Sequence, residues 1–207
     1  MPLEEWDPVR KRYILYRHPD EQTRDCKRSP FELLPRRIFL DTNVINRLVQ
    51  WGGQVFEFEP IPEGLDPVVA DDVEALRHVL HGLDRTGIEL LASSKMINEL
   101  RNTPDDTLRH ALVSYGVEFL RDRIPEDDHQ FAIDFGRRFV GSQFVASLPH
   151  AADQELIGHA IALGCDTFCT CDRKSIIRKR DRLKLPIRLM TPVEWWAHTK
   201  PWAGLWS

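Results

Sequence analysis

Arg36-Arg37-Ile38-Phe39-Leu40-Asp41-Thr42-Asn43-Val44-Ile45-Asn46 decides the fold class. Ile38, Phe39 and Leu40 form a short continuous apolar run, the pattern of a strand buried on both faces. The run stops on an acid, a hydroxyl and an amide, and Val44, Ile45, Leu48 and Val49 then recur at helical spacing. A buried parallel strand that delivers a carboxylate just before a helix is where open α/β sheets place their chemistry.

On either side of this stretch the chain alternates strand and helix signals. The helix after it is expected over about 43–51, stopped by Gly52 and Gly53, with a proline-rich loop over 54–67. A second helix is expected over 68–83, with Asp71 and Asp72 in its first turns. Ile88–Ala92 reads as a second strand, and Ser93 and Ser94 offer an N-cap for a helix carrying Met96, Ile97 and Leu100. Further helices are expected over 105–121 and 127–147. Leu156, Ile157, Ala160, Ile161 and Leu163 then mark another, with Gly164 as its C-cap. Cys165–Cys171 gives a third strand ending on Asp172, Leu185–Met190 a fourth, and Thr191-Pro192-Val193-Glu194 a capping box. Strands alternating with helices indicate an α/β fold with a parallel sheet covered on both faces. Residues 1–35, punctuated by Pro2, Pro8, Pro19 and Pro30, show no sustained period and read as an irregular extension.

The totals set bounds. A chain of 207 residues with 42% hydrophobic content is enough for one domain with extensions. A net charge of -4 gives no general affinity for polyanions, so a nucleic-acid partner needs a local basic patch. No apolar run suits a membrane span, and Met1–Glu5 lacks the order of a signal peptide. Cys165, Cys169 and Cys171 cluster around one apolar segment, which fits buried thiols in a reducing compartment, and the cytoplasm is expected.

The acids carry the chemistry. Asp41 ends the first strand and Asp172 the third, and in a parallel sheet both ends lie on one edge. Glu99 sits one turn into the helix after the second strand. Asp153 opens the helix leading into the third, and spacing alone leaves open which edge it reaches. A single Asp at a strand end is more often a cap or turn former. Three or four at one edge repel one another unless a hard divalent cation neutralises them. Mg²⁺ and Mn²⁺ prefer such oxygens and leave positions for water and phosphate, which suits metal-assisted phosphodiester hydrolysis.

Ile38-Phe-Leu-Asp41-Thr-Asn43-Val-Ile, then Glu99 after a strand, Asp153 followed by Ile157, Ala160, Ala162 and Gly164, and finally Thr170-Cys-Asp172, together resemble a PIN domain. That nuclease family includes the VapC-type toxins of bacterial and archaeal toxin–antitoxin pairs. The resemblance covers about residues 37–198. It implies a three-layer α/β/α fold with a central, mostly parallel sheet, and an endoribonuclease that uses Mg²⁺ or Mn²⁺. By that resemblance Asp41, Glu99, Asp153 and Asp172 are the catalytic, metal-holding quartet, and the helix bearing Asp153 brings its acid to the cluster. Thr42 and Asn43 match the polar pair beside the first acid, and Thr170 the hydroxyl near the last. The chain then divides into an extension (1–35), a nuclease domain (36–198) with a helical insert at about 105–147, and a tryptophan-containing tail (199–207). An antitoxin protein and a homodimer are the partners that the resemblance implies.

From Arg173 to Arg188 there are eight basic residues against one acid. The bland reading of such a run is a solvated turn. Its start directly after Asp172 makes Arg173, Lys174, Arg178 and Lys179 the residues expected to hold RNA phosphates. Trp195 and Trp196 could stack on bases, but their capped helix has its own apolar face to bury, and core is the stronger reading. Cys169 and Cys171 with His159 make a poor zinc site, because no second Cys or His pair follows at finger spacing. No histidine has a Ser or Cys partner in a recognisable nucleophile setting, so no triad is expected. Two other classes compete with the nuclease. One is a catalytically silent scaffold that binds RNA or a partner protein. The other is a haloacid-dehalogenase-type phosphatase, which needs a second acid where this chain has Asn43.

Overall fold

The computed structural model describes residues 4–9, 11–81, 87–93 and 126–205. Glu99, the helices expected over Met96–Leu100 and over 105–121, and Trp206 lie outside those residues. From the N-terminus run strands β1 (Glu5–Asp7) and β2 (Arg12–Ile14), helix α1 (Pro19–Arg28), strand β3 (Arg37–Leu40), and helices α2 (Thr42–Gln50), α3 (Gly52–Phe56) and α4 (Pro67–His81). Strand β4 (Glu89–Leu91) follows, then α5 (Glu126–Phe139), α6 (Ala151–Ala162), β5 (Thr167–Cys169), β6 (Arg188–Met190) and α7 (Pro192–Thr199). The chain is mixed α/β and divides into two compact units, one of residues 1–35, 51–87 and 192–207 and the other of residues 36–50 and 88–191. No described helix is long and apolar enough to cross a membrane.

The second unit holds a four-stranded, all-parallel sheet in the order β4-β3-β5-β6. The strand read first from the sequence is therefore internal, and Ile38, Phe39 and Leu40 are each 0% exposed. Phe39 pairs directly with Phe168 on β5, their rings 5.5 Å apart and nearly parallel. Leu156, Ile157, Ala160 and Leu163 of α6 and its end complete much of this core. Gly164, at φ +66°, ends α6 as expected, and the Cys165 N–H returns to the Ala160 carbonyl. Because α6 runs down to the start of β5, its own first turn lies by the carboxyl ends of the strands.

Helices α5 and α6 meet backbone to backbone. A Cβ added at Gly158 would lie 2.7 Å from the Gly136 Cα, and one at Gly136 would lie 2.7 Å from the Glu155 carbonyl oxygen. Helix α5 stops at Phe139, shorter than the expected 127–147.

The first unit departs most from expectation. The described residues before β3 are not wholly irregular: β1 and β2 pair antiparallel with Trp6 facing Tyr13, rings 5.1 Å apart, and α1 follows with Pro19 in its first turn. Strands of three residues are too short for a period to show, and the cross-strand aromatic pair supplies the contact that holds them. Gly52 and Gly53 begin α3 rather than merely ending α2. Helix α4 begins at Pro67, where the Asp66 carboxylate accepts the Val68 and Val69 N–H groups at 2.9 and 3.2 Å, so Asp71 and Asp72 fall in the second turn. Trp195 (0% exposed) and Trp196 (5%) are core residues, and His78 stacks on Trp196 at 5.0 Å. The tight helix crossing of the second unit gives a direct test. Gly158→Ala should cost about 1–3 kcal/mol in urea unfolding, whereas Gly204→Ala, with nothing near its added Cβ, should be close to neutral.

Candidate active site

Asp41 follows β3 immediately and starts α2, its carbonyl accepting the Val44 and Ile45 N–H groups at 2.9 and 3.2 Å. Its own N–H donates to the Cys169 carbonyl at 3.0 Å, which carries the β3–β5 ladder one residue beyond the strands. The side chain is 4% exposed. The Thr170 hydroxyl donates to its Oδ2 at 2.6 Å, and the Asn43 amide donates to the same oxygen at 2.8 Å. Burial is the dominant influence on this acid and pushes its pKa from 3.8 to about 6. The Thr170 and Asn43 donors pull it down, the Asp153 charge pushes it further up, and the Thr42 N–H pulls it down. None of these influences is a basic side chain.

Asp153 lies in the first turn of α6, half-buried, within electrostatic reach of Asp41. Asp172 is joined to the same place through Thr170, since its N–H donates to the Thr170 hydroxyl at 3.0 Å. Thr170, 0% exposed, is thus a two-way link between the ends of β3 and β5. The Asp172 carboxylate also builds a turn: its Oδ1 accepts the Lys174 and Ser175 N–H groups at 2.9 and 2.7 Å. Among the described residues, no three His, Cys, Asp or Glu side chains form a group that could hold a metal ion. The described donors therefore fit a hard cation in kind, with a buried carboxylate and a second acid beside it, but not in number.

That turn starts the basic segment, which continues as a 3-10 helix over Ile177–Arg182. Lys174 and Arg178 are exposed, and Arg173 and Lys179 are half-buried. Two other basic residues of the run are held elsewhere. Arg180 donates to the Leu189 carbonyl at 3.4 Å, and Arg188, at the start of β6, pairs with Asp166 at 3.6 Å. Asp166 also accepts the Arg36 and Arg37 N–H groups, at the opposite edge of the sheet from Asp41.

One histidine does meet a serine, though not in a nucleophile setting. Ser93, at the end of β4, lies 2.6 Å from the Nδ1 of His159, whose Nε2 is 3.8 Å from Glu155. Ser93 is 2% exposed and His159 1% exposed, so substrate could not reach the hydroxyl, and the pair ties α6 to the sheet. Sixty-six positions separate the two residues, and no local pattern announces such a contact. The thiols of Cys165 and Cys169 are buried, the first pushed up to about 12 by that burial, and among the described residues none is in a disulfide.

Compared with protein-family models, with characterised proteins and with solved structures, the chain matches none.

The raised pKa of Asp41 has a stability consequence. Between about pH 4 and 6 the folded chain holds a proton that the unfolded chain has released, so stability from this residue is present at low pH and is lost as pH rises through that window. In chelator at pH 7.5, Asp41→Asn should be more stable than wild type by something on the order of 3 kcal/mol. Its amide oxygen can accept from Thr170 and Asn43 as Oδ2 does. The difference should vanish below about pH 4, as read by urea unfolding across the range.

Proposed function

We propose that this chain is a metal-dependent endoribonuclease of the PIN-like kind, with the three-layer α/β/α architecture that its parallel sheet and helices are compatible with. The observation that carries the reading is the Asp41 carboxylate: buried, held on one oxygen by Thr170 and Asn43, and facing the charge of Asp153. Two acids brought together at such a cost in desolvation are what a divalent cation requires. In this reading Asp41, Asp153, Asp172 and Glu99 hold Mg²⁺ or Mn²⁺. When bound, the ion would polarise the phosphodiester and lower the pKa of the attacking water. Thr170 and Asn43 fix the rotamer of Asp41, so that the oxygen they leave keeps its direction. The Asp172 turn presents Arg173 and Lys174 beside the acids, and with Arg178 and Lys179 they hold phosphates flanking the cut. The chain's place as a toxin paired with an antitoxin belongs to the same reading, and a small adjacent gene for a DNA-binding partner would support it.

A second reading, a scaffold that binds RNA or a protein without cutting, is favoured by one observation: the described acids do not by themselves make a three-ligand site. Cleavage of a mixed RNA pool with added Mn²⁺ separates the two. Asp41→Asn and Asp153→Asn should each lower the rate by at least about 100-fold while circular dichroism is unchanged. Unaltered cleavage in both variants would sink the nuclease reading, and no cleavage by wild type with RNA still bound would favour the scaffold. Replacing Arg178 and Lys179 should reduce the salt dependence of single-strand binding by about 0.7 in log–log slope per lost contact.

A further inference from the structure

The first unit contains a cavity of about 300 Å³ lined by α1, α7, Glu4 and Lys200, and the carboxylate-edge chemistry makes no use of it. That volume, about ten waters' worth, is at the lower end of small-molecule sites. Its wall is built from opposite charges in pairs. The Glu4 side chain, 3% exposed, accepts from the Lys200 ammonium at 2.8 Å and from the Trp196 indole N–H at 3.3 Å. Both donors fall on Oε1. The Lys200 ammonium also sits 4.7 Å from the centre of the Tyr16 ring. Across the cavity, Asp25 takes the Tyr16 hydroxyl on Oδ2 at 3.0 Å, while the Arg28 guanidinium stands 3.9 Å from Oδ1, beyond hydrogen-bond reach. Val193, Ala197 and the face of Trp196 supply an apolar patch.

We propose that this cavity binds a free α-amino acid as its zwitterion. The wall carries two carboxylates and two cations, so a simple anion would meet Glu4 and Asp25, and a simple cation would meet Lys200 and Arg28. A zwitterion sets its ammonium toward the acids and its carboxylate toward the bases, and no charge is left opposed. The Arg28 side chain is 80% exposed and, among the described residues, is held by the long Asp25 contact alone, so its fork can turn to a ligand carboxylate at small cost. The apolar patch then takes the amino acid's side chain, which favours aliphatic, thioether or aromatic types.

Calorimetry on the full chain tests this with a panel of L-amino acids that includes leucine, methionine and phenylalanine. Two leucine analogues each lack one charge: isocaproate has no amino group and isoamylamine no carboxylate. At least one apolar amino acid should bind with a Kd below about 1 mM, and both analogues should bind at least about tenfold more weakly. Arg28→Ala and Asp25→Asn should weaken binding with unchanged circular dichroism. The double variant Glu4→Gln with Lys200→Met, which avoids stranding one buried charge, should abolish it. Absence of heat for every amino acid up to about 10 mM, equal binding of leucine and either analogue, or full affinity in the rim variants would each overturn the proposal.

Discussion

The second unit is organised by one costly act, placing an ionisable carboxylate out of water at the end of an internal strand. Asp41 is tolerated there because Thr170 and Asn43 converge on a single oxygen and because the Asp172 N–H holds the Thr170 hydroxyl in turn. This chain of donors crosses from β3 to β5 at the edge where α/β sheets keep ligands. The Thr170, Asn43 and Thr42 donors only partly offset the desolvation, which is why the acid remains shifted upward. Charge held against its own preference is a common mark of a working site, and relief of that strain by a bound cation is the core of the nuclease proposal.

The position of Asp153 follows from topology alone once β5 is placed. A helix that leads into a parallel strand must start near that strand's far end, and the glycine contact between Gly136 and Gly158 brings α5 against α6 closely enough to fix it. Ser93 and His159 add a buried hydrogen bond between the same helix and the end of β4. Geometry at the carboxylate edge is therefore set by packing some distance from the acids.

What the sequence made legible was whatever is written locally. The apolar run Ile38–Leu40, the helical spacing after it and Gly164 as a cap all express themselves within a few residues, whereas the third strand is shorter than the expected Cys165–Cys171, stopping at Cys169 and leaving Asp172 in the turn beyond it. The hairpin of Trp6 and Tyr13 did not, because its strands are shorter than one readable period. Ser93 and His159 did not, because neither residue carries a local mark of a partner so distant in sequence. Helix α4 starts one residue before its first apolar position, Val68, because the Asp66 cap and Pro67 precede the periodic face. The acidic quartet was legible as a set of candidates. Of these, Asp41, Asp153 and Asp172 are linked through Thr170 or through their charges, and Glu99 lies outside the described residues.

The first unit is assembled from both ends of the chain and a middle segment. The Trp202 indole donates to the Ser29 carbonyl across 173 positions, and Gln22 donates to the Pro201 carbonyl across 179. During synthesis α1 and the residue after it must wait for the 173 to 179 positions that separate them from these partners. Closing so long a loop is entropically costly, so this unit belongs to the late stages of folding. A nascent chain stalled shortly before residue 192 would lack a piece that this unit is built from.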